Sequence, residues 1–243
     1  MDQVEIGGLR IAFERAGYGP PLVLLHGVLG DSRDWRRQLE GLSDEFTVVA
    51  WDAPGCGESS DPDPPETFGA DVYADCLAEF IEALELERPH VLGLSWGGGL
   101  ALELYRRRPD LPRSLVLASA YAGWAGSLPP DEVARRKEQT LREVDLPPEQ
   151  FVPGWMPTLF AKEVPQELVD EVVAIMSDFH PAGYRAMILA FADLDLRDVL
   201  PQIDVPTLLL YGEVDRRSPL HVAEAMHSQI AGSTLAVIPE WAT

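Results

Sequence analysis

Six short runs of largely uninterrupted apolar residues constrain this chain more than any other feature. They are Leu22–Leu25, Thr47–Trp51, His90–Leu94, Ser114–Leu117, Thr207–Tyr211 and Leu235–Ile238. A strand with one face in water alternates apolar and polar residues. A strand that is apolar throughout is covered on both faces, as in a parallel sheet between two helix layers. Helix-period stretches fill most of the gaps, at Trp35–Leu42, Ala70–Leu84, Trp96–Arg108 and Pro219–Ile230. Ahead of the first run, Val4–Ile6 and Arg10–Glu14 flank Gly7-Gly8, a two-residue hairpin signal. The expected fold class is therefore α/β: a mainly parallel twisted sheet, helices on both faces, and an antiparallel hairpin at its start.

One interval breaks the rhythm. Between Tyr121 and Gln202 there is no buried-strand run, only four helical patterns punctuated by prolines, near Asp131–Val144, Pro148–Phe160, Gln166–Asp178 and Ala182–Asp193. An insertion of about eighty residues between two strands is a subdomain, not a loop. The expected organisation is a core over 1–120, a helical cap over 121–200, and the rest of the core over 201–243.

Composition limits the partners. The chain has 243 residues and a formal net charge of −21. A surface this acidic repels phosphate backbones, so nucleic acid is not an expected partner. The one basic cluster, Arg106-Arg107-Arg108, falls at the end of a predicted helix, where cations complement the helix dipole. Cys56 and Cys76 form neither a disulfide framework nor a metal-ligand set. No signal peptide and no apolar stretch of membrane-spanning length is visible, so the expected location is the cytoplasm, with no membrane partner. Nothing in the sequence sets the oligomeric state.

The sharpest chemical signal is Gly93-Leu94-Ser95-Trp96-Gly97. It follows a buried-strand run and opens a helix, the context of a G-x-S-x-G nucleophile elbow. There, small residues allow a tight turn that lifts the Ser95 hydroxyl above the sheet. The plain alternative is a helix-capping serine after a glycine turn. His26-Gly27-Val28 follows another strand run. A backbone N–H near Val28, joined by that of Trp96, could hold the oxygen of a tetrahedral intermediate. His26 itself, in a turn at a strand end, reads as structural. After the run at 207–211 comes Gly212-Glu213-Val214-Asp215, where Asp215 is placed to orient a histidine. Glu213 and Asp204 read as solvated loop charges.

Together these residues resemble the α/β-hydrolase family, and the likeness covers nearly the whole chain. It includes the His-Gly loop, the stretch Trp51-Asp52-Ala53-Pro54-Gly55-Cys56-Gly57-Glu58-Ser59, the serine elbow, the cap, and Gly212-x-x-Asp215. The resemblance implies Ser95 as nucleophile, Asp215 as triad acid, the Val28 and Trp96 amides as oxyanion hole, and residues 121–200 as a lid. Trp124, Trp155, Met156, Phe160, Phe179 and Tyr184 are candidate lid aromatics or packing residues. Trp96, next to the serine, is expected to narrow the pocket.

The chain departs from the family at its end. The family places a histidine after the last strand, in a pattern like Ile-Pro-Gly-x-Gly-His. Here the residues are Ile238-Pro239-Glu240-Trp241-Ala242-Thr243, so Thr243 stands where the histidine would fall, and the final helix is missing. His90, His180, His221 and His227 are poor substitutes. One inserted base before codons for Glu-Trp-Ala-Thr would read Gly-Val-Gly-His, so a frameshift is the expected origin, with truncation or a natural pseudoenzyme as alternatives. The chain as written is expected to be poorly soluble and nearly inactive.

The resulting reading is a capped serine hydrolase acting on a small carboxylic ester or lactone. Within the fold, carbon–carbon bond hydrolases and perhydrolases also use serine and stay open. A catalytically dead, pocket-bearing ligand sensor is the alternative from a different class. No cofactor is implied: Gly97-Gly98-Gly99 lies inside the elbow helix and is not a dinucleotide turn, and no His/Cys cluster has metal spacing.

Overall fold

Gly7 and Gly8 both take positive φ, 56° and 85°, and fold β1 (Asp2–Ile6) back onto β2 (Leu9–Ala16) as an antiparallel hairpin. The remaining strands of this computed structural model, which describes residues 1–160 and 162–241, are the apolar runs of the sequence. They form β3 (Pro21–Leu25), β4 (Thr47–Trp51), β5 (His90–Leu94), β6 (Ser114–Ala118), β7 (Thr207–Gly212) and β8 (Thr234–Ile238). The sheet order is β1-β2-β4-β3-β5-β6-β7-β8. β2 runs antiparallel to β4, and every pairing from β4 across to β8 is parallel.

The pleat decides which side chains meet which helix layer. Leu22, Leu24, Val48 and Ala50 face Trp35 and Leu39, at the start and within α1 (Arg36–Leu42). Their neighbours Val23, Leu25, Val49 and Trp51 join the opposite core with residues of α2 (Ala70–Ala83) and α3 (Trp96–Arg107), among them Tyr73, Leu77, Phe80 and Leu102. Phe80 meets Phe13 edge-on at 5.4 Å between ring centroids. Each such side chain contributes about 1.5–3 kcal/mol by leaving water.

The chain leaves β3 to one side for β4 and returns past it to β5, so strand order reverses between β3 and β5. In an open parallel sheet such a reversal leaves a crevice at the carboxyl ends of the strands. The loops that carry His26-Gly27-Val28 and Ser95 leave β3 and β5 at that crevice.

Between β6 and β7 lies the helical cap. Its helices are α4 (Trp124–Ser127), α5 (Pro130–Glu143), α6 (Pro148–Leu159), α7 (Gln166–Ser177) and α8 (Pro181–Ala192). The single turn α4 has no periodic signal of its own in the sequence. Pro130, Pro148 and Pro181 open their helices, where the missing N–H costs nothing. α8 meets the core where Gly183 rests on Gly55: a Cβ built on Gly183 would lie 1.9 Å from the Gly55 carbonyl oxygen. Ion pairs Arg33–Asp178 (3.1 Å) and Arg37–Glu171 (3.0 Å) and a hydrogen bond between His180 Nδ1 and Asp61 Oδ1 (2.6 Å) also join cap to core. Pairs this exposed contribute at most about 1 kcal/mol each, so backbone contact outweighs them.

After α9 (Leu220–His227) and β8, no further helix follows among the described residues. The chain instead returns along the loop after β7, where Glu213 N–H donates to Ile238 O (3.0 Å) and Val214 N–H to Trp241 O (3.1 Å). Thr243, the position of the expected histidine, lies outside the described residues. Among the described residues no helix is long and apolar enough to cross a membrane.

Gly183→Ala is expected to lower stability by about 2–4 kcal/mol, because the obstructing atom is backbone and cannot swing aside. Gly41→Ala, whose Cβ meets nothing within 4 Å in α1, is expected to gain up to about 1 kcal/mol. Urea unfolding of the two variants checks both signs.

Candidate active site

Ser95 sits at the β5–α3 junction with φ 53° and ψ −111°, a conformation that costs a non-glycine residue on the order of 1–3 kcal/mol. Its neighbours hold it there. Ser95 N–H donates to Ala118 O (2.8 Å), and Gly98 N–H returns to Ser95 O (3.0 Å). α3 can start this tightly only without side chains at its contact points: a Cβ on Gly97 would lie 2.3 Å from Leu25 O, and one on Gly93 would lie 2.2 Å from Gly97 O. A serine that merely caps a helix would accept from a first-turn N–H. Ser95 makes no such side-chain bond. The elbow reading of Gly93–Gly97 therefore fits this geometry better than the capping one.

Trp96 opens α3, so its amide belongs to the first-turn N–H groups that have no intrahelical acceptor. Val28 lies in a turn closed by Gly30 N–H donating to Gly27 O (3.2 Å). Gly27 approaches the Ser95 side chain, with a built Cβ at 3.8 Å from Ser95 Cβ. The His-Gly loop and the elbow thus flank one point at the crevice.

The Trp96 side chain does not narrow the cavity, contrary to the sequence expectation. It is 3% exposed, packs edge-on against Tyr73 at 5.1 Å and stacks near His26 at 6.2 Å. The Cα–Cβ direction at the first position of the helix sends the indole into the core and leaves only the amide at the site. His26 is fully buried and uses both ring nitrogens: Nδ1 lies 2.7 Å from Gly27 O, and Nε2 accepts from Ala53 N–H at 3.1 Å. Burial pulls its pKa down, so the ring is neutral and ties the β3 and β4 loops together. Asp52 braces the same region, with Oδ1 accepting from Ser32 N–H (2.7 Å) and Oδ2 from Glu58 N–H (2.9 Å).

Asp215, 5% exposed after β7, accepts through Oδ1 from the amides of Arg217 and Ser218 (both 2.8 Å). Its Oδ2 accepts from the Ser119 hydroxyl at 2.8 Å. Ser119, immediately after β6, also has positive φ (44°), and sequence reasoning missed it. Among the described residues no histidine is bonded to Ser95 or Asp215. His90 pairs with Ser114, His180 with Asp61 and His227 with Ser233, while His221 is exposed on α9.

A cavity of about 220 Å³ lies over Ser95, between core and cap. Val28, Leu29 and Leu94 line it from the core, and Trp155, Leu159, Phe160, Val172 and Met176 from the cap. Of the six cap aromatics and packers named from sequence, Trp155 and Phe160 reach this cavity. Trp124 lines a neighbouring cavity between the cap and the loop after β7, Met156 packs against the hydrophobic core, and Phe179 and Tyr184 meet edge to face. Two charged lining residues were missed, Asp34 and Arg217. Asp34 lies eight residues beyond the His-Gly loop's histidine, and Arg217 two beyond Asp215, both in stretches that look like ordinary loop charges. Among the described residues no group of three or more His, Cys, Asp or Glu is placed to hold a metal.

Residues 20–173 match the alpha/beta hydrolase fold family. The chain belongs to this family. A thermophilic esterase from Thermogutta terrifontis, solved with malate bound, is similar at a TM-score of 0.90 and 30% identity, covering 100% of this chain and 91% of that one. An esterase from Exiguobacterium antarcticum is similar at a TM-score of 0.86 and 30% identity, covering 99% and 91%. In sequence, a proline iminopeptidase from Lactobacillus helveticus is 32% identical over 252 residues, covering 92% of this chain and 83% of its own length. The α/β-hydrolase frame accounts for the crevice and for the loops that meet there. It does not by itself say what enters the cavity.

Asp34 gives this cavity a pH dependence. Burial first, then the neighbouring charge of Asp31, push its carboxyl up to about 7 against the opposing pull of Arg33. The unfolded chain ionises freely near pH 4, so the folded state loses stability as pH rises from about 4 to about 7, then levels off. Asp34→Asn is expected to be more stable than the parent by about 1–3 kcal/mol at pH 8, allowing for partial exposure, with the difference gone at pH 4. Urea midpoints at the two pH values measure this.

Proposed function

We propose that this chain is built as a serine hydrolase for small carboxylic esters or lactones, with its core over residues 1–120 and 201–243 and residues 121–200 as the lid. The observation that carries the reading is the Ser95 elbow, held at positive φ and opening into a small apolar cavity at the sheet's switch point. The likeness to two esterases across nearly the whole chain supports it.

In this reading the Ser95 hydroxyl oxygen attacks the substrate's carbonyl carbon while a histidine takes its proton. The carbonyl oxygen, now negative, accepts from the Val28 and Trp96 amides. Preorganised donors of this kind are worth about 2.7–4 kcal/mol each in the transition state. Collapse of the tetrahedral adduct expels the alcohol, which receives the proton back, and water then releases the acyl group. Asp215 orients the ring, and the Ser119 hydroxyl together with two amides fixes Asp215.

The base is the element these residues do not supply: the chain's five histidines are at 26, 90, 180, 221 and 227, and position 243 is threonine. Loss of one triad member costs up to about 10⁶ in turnover. The Ser95 hydroxyl, bonded to no described base, is also what favours the second reading, a pocket that binds ligand without cleaving it.

A fluorophosphonate probe separates the two readings when applied to the chain with the base supplied, Thr243→His with Glu240→Gly and Ala242→Gly. Labelling that Ser95→Ala abolishes supports the hydrolase, while ligand binding without any labelling supports the binder. Thr243→His, with Glu240→Gly and Ala242→Gly to restore the turn, is expected to raise ester turnover by at least about 100-fold. Unchanged p-nitrophenyl acetate hydrolysis in that variant would argue against Ser95 and Asp215 as triad partners.

A further inference from the structure

Two charged side chains line the Ser95 cavity among the described residues, Asp34 and Arg217, and cleavage of a neutral ester uses neither. Arg217 is held in place from its backbone outward. Its N–H donates to Asp215 Oδ1 (2.8 Å), and its carbonyl accepts from the Tyr121 hydroxyl and from Arg136 Nη2 (3.1 Å). The guanidinium carbon lies 3.6 Å from the centroid of the Trp155 indole, which lines the same cavity. A stacked guanidinium keeps its in-plane N–H groups free to bond a ligand.

Those donors are nearly unspent. A guanidinium offers five N–H groups, and the side-chain bond Arg217 makes is a long one, Nη1 to Thr158 Oγ1 at 3.5 Å. Among the described residues no carboxylate lies within ion-pair distance of it. Glu143 acts on it through space. Its oxygens, however, are taken by Trp155 Nε1 (3.3 Å), the Tyr184 hydroxyl (3.1 Å) and Gln139 Nε2 (2.9 Å). Arg136, close by, only adds repulsion. A largely buried cation with no carboxylate partner is costly to maintain. A forked donor set facing a cavity matches the two oxygens of a carboxylate.

We propose that Arg217, stacked on Trp155, receives a carboxylate carried by the substrate, so that the ester or lactone taken by this site is an anion. The cavity holds about 220 Å³, so carboxylate and reacting carbonyl belong to one small molecule and stand only a few bonds apart. This rests on the hydrolytic reading for the position of the carbonyl, but not for the carboxylate contact.

The test compares monomethyl succinate with methyl 4-methylpentanoate, its neutral counterpart of the same shape, binding to the full chain and to Ser95→Ala, which excludes turnover. Titration calorimetry at pH 6 keeps Asp34, set among Asp31, Arg33 and Glu171, largely uncharged. The anion is expected to bind about 10- to 100-fold tighter than the neutral ester, the worth of a charged hydrogen-bond pair. Arg217→Met is expected to abolish that preference and Arg217→Lys to keep part of it. Equal affinities for the two probes in the protein with Arg217 intact overturn the proposal, whether or not the variants fold, as does a preference that survives in Arg217→Met. Fluorophosphonate labelling of Ser95 in the Thr243→His, Glu240→Gly, Ala242→Gly variant reports separately on the hydrolytic reading. Labelling without anion preference sinks the carboxylate site alone, and anion preference without labelling sinks hydrolysis alone.

Discussion

The geometry of the candidate site depends on how closely helix α3 is seated against the ends of β3 and β5. Two glycines make that approach possible, because a methyl group at Gly97 or Gly93 would occupy the space of a backbone oxygen. The seating forces Ser95 into positive φ, and the β6 carbonyl of Ala118 together with the first turn of α3 holds it there. Local strain at one residue is offset by hydrogen bonds on both sides, so the hydroxyl is presented without freedom to relax. The His-Gly loop depends on the same contact, since Gly97 packs against the carbonyls of Leu25 and His26.

A second layer of constraint comes from buried polar groups that tie loops to one another. His26 joins the β3 and β4 loops, Asp52 joins the turn before α1 to the Glu58 loop, and Asp215 gathers Ser119, Arg217 and Ser218. Each replaces water by fixed donors, so the loops at the crevice are as well determined as the strands beneath them. The cap and the loop after β7 add the opposite kind of electrostatics. In a chain of net charge −21, Arg136 and Arg217 place positive charge beside the cavity. At physiological salt, surface charge is screened over about 8 Å. The local guanidinium therefore outweighs the distant acidic surface for anything already inside.

Much of the fold was legible in the residues. Continuous apolar runs such as Thr47–Trp51 can be buried only as strands covered on both faces, and β4 is buried along its whole length. Gly7-Gly8 and the helix-opening prolines marked boundaries by backbone chemistry alone. The serine elbow was readable for the same reason: small residues at fixed spacing leave few other turns available. Trp96 shows where this kind of reading stops. Adjacency to Ser95 said nothing about its indole, which points away because helix geometry, not sequence distance, sets side-chain direction. Ser119, Asp34 and Arg217 were illegible for a related reason. Each is an unremarkable polar residue until distant strands and the cap bring it to the site.

The sequence by itself determined the layer architecture, the insertion of a helical cap, and the local conformation around Ser95. These follow from hydrophobic periodicity and from what glycine and proline permit within a few residues. Only the tertiary structure decided which charges share the cavity. It placed Arg217 on Trp155 with its donors nearly unspent and spent the oxygens of Glu143 on other partners. These pairings join residues 12 to 62 positions apart, across different helices and loops, which no local pattern encodes.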